Sequence, residues 1–182
     1  MTTSAPALTT WTIDGSHTEA GFAVKHLMIS TVRGRFADVQ GTVAFDPTDL
    51  TTGSADVTIN VTSIDTKEAQ RDAHLRSADF FEVETYPTIT FKSRRVQGVK
   101  GAEFQLVGDL TIKGITKEVV LDAESHGLQA DPWGGERAGF SATTKINRKD
   151  YGLVWNVALE TGGIVVGEDI KITLDVELLK TK

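Results

Sequence analysis

The sequence predicts an all-β fold of many antiparallel strands, a sandwich or a barrel, interrupted by one short helix. Three observations carry this. Apolar and polar residues alternate with a period of two along most of the chain, as in Ala55, Val57, Ile59 and Val61 against Asp56, Thr58, Asn60 and Thr62. Successive strand side chains point to opposite faces, so such a run has one apolar and one wet face, the mark of antiparallel sheets. Short turns rich in Gly, Pro and Asp separate the runs, and only one segment breaks the pattern with helical chemistry.

Taken in order, strands are expected near residues 10–14, 19–26, 33–46, 54–64, 88–97, 103–113, 116–126, 136–148 and 168–180. Asp46-Pro47 closes one run, Gly98 to Gly101 joins two more, and Gly114 marks a tight reversal. Phe104, Leu106, Leu110 and Ile112 share one parity, with Gly108 between them. Phe140, Ala142 and Ile146 do the same, and Ile170, Ile172, Leu174, Val176 and Leu178 alternate with Lys171, Thr173, Asp175 and Glu177. The helix is expected over 66–77. Asp65-Thr-Lys-Glu68 resembles a capping box with Asp65 as cap, and Asp72 and Arg76 stand at i,i+4 with the acid first. So short a helix must dock on something, and Leu75, Phe80 and Phe81 are the docking residues. It either lids one end of a barrel or crosses over the sheet.

Composition bounds the function. With 182 residues, 40% apolar and 24% charged, the chain reads as a folded domain over 10–182 behind a disordered tail at 1–9. A net charge of −6 repels phosphate backbones, so nucleic acid is not an expected partner. The absence of cysteine excludes disulfides and thiolate chemistry. No apolar run is long enough for a transmembrane segment. Met1 to Thr10 has neither a basic start nor an apolar core, so no secretory signal is visible and a cytoplasmic location is expected. A natural chain beginning upstream would instead allow a periplasmic or secreted one.

Catalytic motifs are missing: no P-loop, no G-x-G-x-x-G after a strand, no H-E-x-x-H and no G-x-S-x-G. His17, His26, His74 and His126 show no metal-ligand spacing on one element, so no metal and no catalytic residue is expected. Asp14, Ser16 and His17 are close in sequence, but a triad is defined by geometry. His74 reads either as a tie between helix and loop, the favoured reading, or as a polar group at a barrel mouth. Asn60-Val-Thr62 matches a glycosylation sequon but falls mid-strand. Basic residues recur as Arg33 and Arg35 on one face, Arg94 and Arg95 on opposite faces, and Arg148 beside Lys149. They are either solvated outer faces or supply one arginine at a barrel opening that holds a pyrophosphate or carbonyl headgroup.

Several segments resemble the YceI-like family. They are His17-Thr-Glu-Ala-Gly-Phe-Ala-Val-Lys-His26-Leu, Val32-Arg-Gly-Arg-Phe36, Ser63-Ile-Asp-Thr66 and Arg71-Asp-Ala-His-Leu-Arg-Ser-Ala-Asp-Phe-Phe81, then Tyr86-Pro-Thr-Ile-Thr-Phe91, Gly108-Asp-Leu-Thr-Ile-Lys-Gly-Ile-Thr-Lys117 and Asp131-Pro-Trp-Gly-Gly-Glu-Arg-Ala-Gly-Phe140. They run in the family's order from about Trp11 to Leu178. The resemblance implies an extended eight-stranded antiparallel lipocalin-like barrel that binds a polyisoprenoid lipid, an isoprenoid quinone or polyprenyl compound, and it makes a homodimer expected. No other cofactor is implied. Many family members are periplasmic, and this sequence differs from them in showing no signal peptide.

A closed eight-stranded sheet has no exposed edge and can hold one small ligand. Burying a methylene releases ~0.8 kcal/mol, so one isoprene unit offers roughly 3–4 kcal/mol before ordering costs. Affinity then needs no strong polar contact. Apolar type and parity nominate Phe22, Val24, Phe36, Phe45, Phe91, Leu106, Leu110, Phe140 and Trp155 as lining, with Phe80 and Phe81 closing one end. Each is equally suited to ordinary core packing. Two other readings stay open: an enzyme acting on a lipid or small molecule through His17, His26 or His74, and an interaction module whose interior is filled by its own side chains.

Overall fold

The computed structural model describes Ala5 and residues 7–182. In chain order the alternating segments form β1 (Thr9–Ile13), β2 (Glu19–His26), β3 (Ser30–Phe36), β4 (Val39–Asp46), β5 (Asp49–Asn60) and β6 (Ile64–Asp65). Helix α1 (Ala69–Arg76) follows, then β7 (Thr88–Lys100), β8 (Glu103–Ile112), β9 (Ile115–Ala130), β10 (Glu136–Asn147) and β11 (Asp169–Lys180). Of the tail expected at 1–9, residues 1–4 and 6 lie outside the described residues, and Thr9 already pairs with Phe45.

Hydrogen bonds close a ring of eight antiparallel strands in the order β1, β4, β5, β7, β8, β9, β10, β11. The seam is β11 against β1, with Trp11 opposite Lys180 and Ile13 opposite Leu178. The other half of the same β11 edge carries β2, from Ala23 opposite Lys171 to Glu19 opposite Asp175. Strand β2 hairpins with β3, whose far edge holds the two-residue β6. The lipocalin-like barrel is therefore present, with the β2–β3 hairpin extending one side of it. The seam is well buried. Trp11 and Leu178 are fully buried, and Trp11 stacks on Phe45 at 5.4 Å between ring centroids.

Glycines permit close approaches between neighbouring strands. A Cβ on Gly34 would lie 2.4 Å from Phe22 Cζ, and one on Gly108 would lie 2.5 Å from Phe91 Cζ. Both rings therefore lie across a bare backbone on the adjacent strand. The β8–β9 reversal uses Lys113 and Gly114, both at positive φ (50° and 75°), the pattern of a two-residue hairpin turn.

Several boundaries differ from the sequence expectations. The segment 33–46 is two strands, not one: the strand breaks at a bend at Ala37 and Asp38, and β3 and β4, running in the same sense, pair with different neighbours. Strand β5 starts earlier than expected, at Asp49, and ends at Asn60. Asn60 is thus not mid-strand. Its side-chain carbonyl accepts from the Thr62 backbone N–H and hydroxyl, and its amide donates to Asp38. The helix is shorter than 66–77 and its cap is Glu68, which accepts from the N–H groups of Gln70 and Arg71. Asp65 instead accepts from Lys67 N–H, which sits at φ 62°. Asp72 and Arg76 do not pair: Asp72 accepts from Thr66, and Arg76 donates to the carbonyls of Thr62 and Ile64. Those bonds staple α1 to the end of β6. Arg94 and Arg95 do not face opposite ways, because a β-bulge between Ser93 and Arg95 inserts an extra residue. Both are exposed, and both approach Glu118.

Candidate functional site, an apolar hollow inside the barrel

The inner faces of the ring strands enclose a cavity of about 280 Å³. That is near the lower end of the ~300–1,000 Å³ typical of small-molecule pockets. Its wall is overwhelmingly aliphatic and aromatic, drawn from β2, β4, β5, β7, β8, β9, β10 and β11. The β7 bulge shifts the inward parity, so Phe91 and Val96 both face the hollow. Ala123 and Ala142, directly opposite each other on β9 and β10, leave it room.

Of the residues nominated from sequence, Phe22, Val24, Phe36, Phe45, Phe80, Phe81, Phe91, Leu106, Leu110 and Phe140 all line this hollow. Trp155 does not. It lies on the segment between β10 and β11, with its ring 4.8 Å from His74 and 5.4 Å from Phe80, so it backs the closing residues from outside. It lies on no strand, so the parity that placed the other nominated residues does not apply to it. Facing inward has not buried these side chains fully. Phe22, Val24, Phe91, Leu106 and Phe140 remain only half-buried, as residues bordering empty space do.

One end is closed by α1 and the segment after it. Leu75, Phe80 and Phe81 face the hollow, and Phe81 meets Phe36 edge-on at 5.9 Å. His74 bonds Asp79 at 2.8 Å and so ties the helix to that segment. Lys113 Nζ donates to Ala78 carbonyl at 3.5 Å, carrying the closure across to the β8–β9 turn. The lid arrangement holds rather than a plain crossover. Toward the other end Phe45 and Phe104 each meet Phe140 edge-on, at 5.4 and 6.0 Å.

Among the described residues no histidine lines the hollow. His17 Nδ1 lies 2.9 Å from Asp14 and 3.1 Å from Ser16 Oγ. A relay needs the acid and the nucleophile on different ring nitrogens, so this is not a triad. Asp14, His17 and Glu177 do bring ligand-type atoms within 4.8 Å of one another. Sequence spacing gave no sign of this, since Glu177 comes from β11. Arg137 already answers the charge there, bonding Asp14 at 2.7 Å and Glu177 at 2.6 Å. Bonds from Ser16, His17 and Arg137 hold the Asp14 carboxyl well below the usual carboxylate range. Of the paired basic residues, Arg33, Arg35, Arg94, Arg95 and Lys149 are exposed, whereas Arg148 is buried in the cavity wall.

A closed antiparallel barrel around an apolar hollow, lidded by a short helix, is a lipocalin-like barrel. The chain belongs to the YceI-like family, whose domain model matches residues 11–178. It is 42% identical over 171 residues to a UPF0312 protein of Staphylococcus aureus strain N315, across 93% of this chain and 97% of that one. It is similar to the crystal structure of a Campylobacter jejuni YceI protein, with a TM-score of 0.74 at 34% identity, covering 87% of this chain and 90% of that one. The fold is also shared with a polyisoprenoid-binding domain from Saccharophagus degradans, with a TM-score of 0.71 at 14% identity over 94% and 98% of the two chains. Among the described residues no helix is long and apolar enough to cross a membrane.

Proposed function

We propose that this protein binds, stores or transports a long-chain polyisoprenoid lipid, an isoprenoid quinone or polyprenyl compound, inside the barrel, and that it catalyses no reaction on it. The observation that carries the reading is the apolar hollow of about 280 Å³ walled by the inner faces of the ring strands. An apolar chain loses its contact with water there and leaves almost no polar wall group unsatisfied. The relative from Saccharophagus degradans, described as polyisoprenoid-binding, supports the same class of ligand. That no histidine lines the hollow among the described residues favours carriage over turnover. The test is organic extraction of protein purified from its native host, followed by lipid mass spectrometry. A stoichiometric isoprenoid is expected. A barrel that yields no long apolar molecule, and takes none up when offered, overturns the reading.

A further inference from the structure

The tip of the β2–β3 hairpin is both strained and greasy. Its loop is Leu27-Met28-Ile29, held between the paired residues His26 and Ser30. Positive φ in such a loop ordinarily calls for Gly, Asn or Asp. Here Leu27 and Met28 take φ 52° and 59°, a conformation disfavoured for large side chains. Folding does not bury what the strain positions: Met28 is 56% exposed and Ile29 83% exposed. The adjoining segment continues the patch. Leu27 N–H donates to Val165 carbonyl at 2.8 Å, and Val165 N–H to Val157 carbonyl at 3.2 Å. Val157 is exposed, as is Val154 on the same segment.

The charge beside the tip is positive, although the chain as a whole carries −6. Phe22 and Val24 line the hollow, so Ala23 and Lys25 face outward. Ala23 stands between Arg33 on β3 and Lys171 on β11. Lys25, Arg33 and Lys171 are all exposed, and among the described residues no carboxylate pairs with any of them. Asp169 is engaged by Lys145 at 3.7 Å, and Glu19 and Asp65 by Arg35 at 3.9 and 3.8 Å. Glu160 is the one acid in residues 153–167. The tip also adjoins the hollow. Val24 and Val166 both line it, His26 bridges to Val166, and Gly167 N–H donates to Lys25 carbonyl at 2.9 Å.

We propose that this tip docks on an anionic lipid bilayer, with Met28 and Ile29 inserted at the acyl boundary and Lys25, Arg33 and Lys171 set against the headgroup phosphates. Docking there brings the part of the hollow walled by Val24 and Val166 to the membrane for lipid exchange. This rests on the carrier reading above. Exposed apolar side chains flanked by cations gain both from partition and from the negative surface potential. Each cation near such a surface is worth about fivefold in affinity. A stable protein interface takes roughly 20–30 residues a side, whereas a projecting three-residue loop suits insertion.

The chain has no cysteine, so I29C carrying a polarity-sensitive fluorophore reports insertion at one known place. The full-length protein is mixed with vesicles of phosphatidylcholine alone or of phosphatidylcholine with phosphatidylglycerol. A blue shift and co-sedimentation are expected with the anionic vesicles only, and both should fade at high salt. M28S/I29S and K25Q/R33Q/K171Q, read by co-sedimentation, should each bind anionic vesicles about tenfold or more weakly. Both variants should take up an isoprenoid from detergent as wild type does, which shows that they are folded. No shift with anionic vesicles, or equal binding to both compositions, overturns the proposal. A shift that grows with protein concentration in the absence of vesicles assigns the tip to a second copy of the chain and overturns it as well. A barrel that docks on anionic vesicles but takes up no isoprenoid sinks the carrier reading and leaves the docking surface standing.

Discussion

Single residues set the shape of the wall. Gly108 is required because Phe91 lies across it, and any Cβ there also meets Lys92 carbonyl at 2.7 Å. Gly108→Ala should therefore cost roughly 1–3 kcal/mol, as overpacking does, and displace Phe91 into the hollow. Urea denaturation should show a lower midpoint at unchanged slope. On the outer surface, Asp14 accepts from Ser16 on its own turn and from Arg137 on β10. Its carboxyl is held below its ordinary value of 3.8, so near that pH the unfolded chain binds more protons than the folded one. Stability from this site is full above about pH 4 and falls as the pH drops toward the depressed folded value. Asp14→Asn should destabilise by about 1–2 kcal/mol near neutrality. The gap in melting temperature between variant and wild type should narrow as both are taken from about pH 7 to about pH 2. A gap that stays constant across that range contradicts the assignment.

Elements were legible in the sequence wherever one parity ran unbroken. Residues Ile170 to Leu178 and Phe104 to Ile112 read directly as β11 and β8, because a ring strand must turn one face inward throughout. Two errors share one cause, a change of parity. Val24, Phe36 and other even positions face inward up to Phe36, whereas Val39, Val43 and Phe45 are odd. That switch marks the strand break at Ala37-Asp38, which no glycine or proline announces. The β7 bulge leaves the same trace between Phe91 and Val96, and it turns Arg94 and Arg95 to one side. The helix start was misread because a local Asp65 turn competed with the Glu68 cap. Glu68→Ala should remove the cap at a cost of about 1 kcal/mol. Since α1 presents Leu75 to the hollow and leads into Phe80 and Phe81, the loss should appear mainly as faster lipid release. Stopped-flow transfer of a fluorescent isoprenoid to acceptor vesicles measures it. An unchanged off-rate with the expected loss of stability separates the helix from the gate.

At the scale of the molecule, the alternating pattern implied a sandwich or a barrel and the family resemblance a closed barrel, but neither told whether its middle is empty. Inward apolar residues look the same whether they interlock or border a void, and only the half-burial of residues such as Phe22 and Phe140 distinguishes the two. The distinction has a mechanical consequence. In a packed core, a large side chain in place of a small one strains its neighbours by about 1–3 kcal/mol. In a hollow, the same side chain moves into unoccupied space and displaces only what would bind there. Ala142 tests this. It lines the cavity opposite Ala123, between the aromatic end at Phe140 and the lidded end. Ala142→Trp should place an indole across the bore and leave the melting temperature close to that of wild type. Uptake of a long isoprenoid should fall by an order of magnitude or more, and the negative heat-capacity change of apolar burial should vanish from the calorimetric titration. A barrel that unfolds instead has no room at that point. A barrel that stays folded and binds as before carries its lipid somewhere other than between β9 and β10.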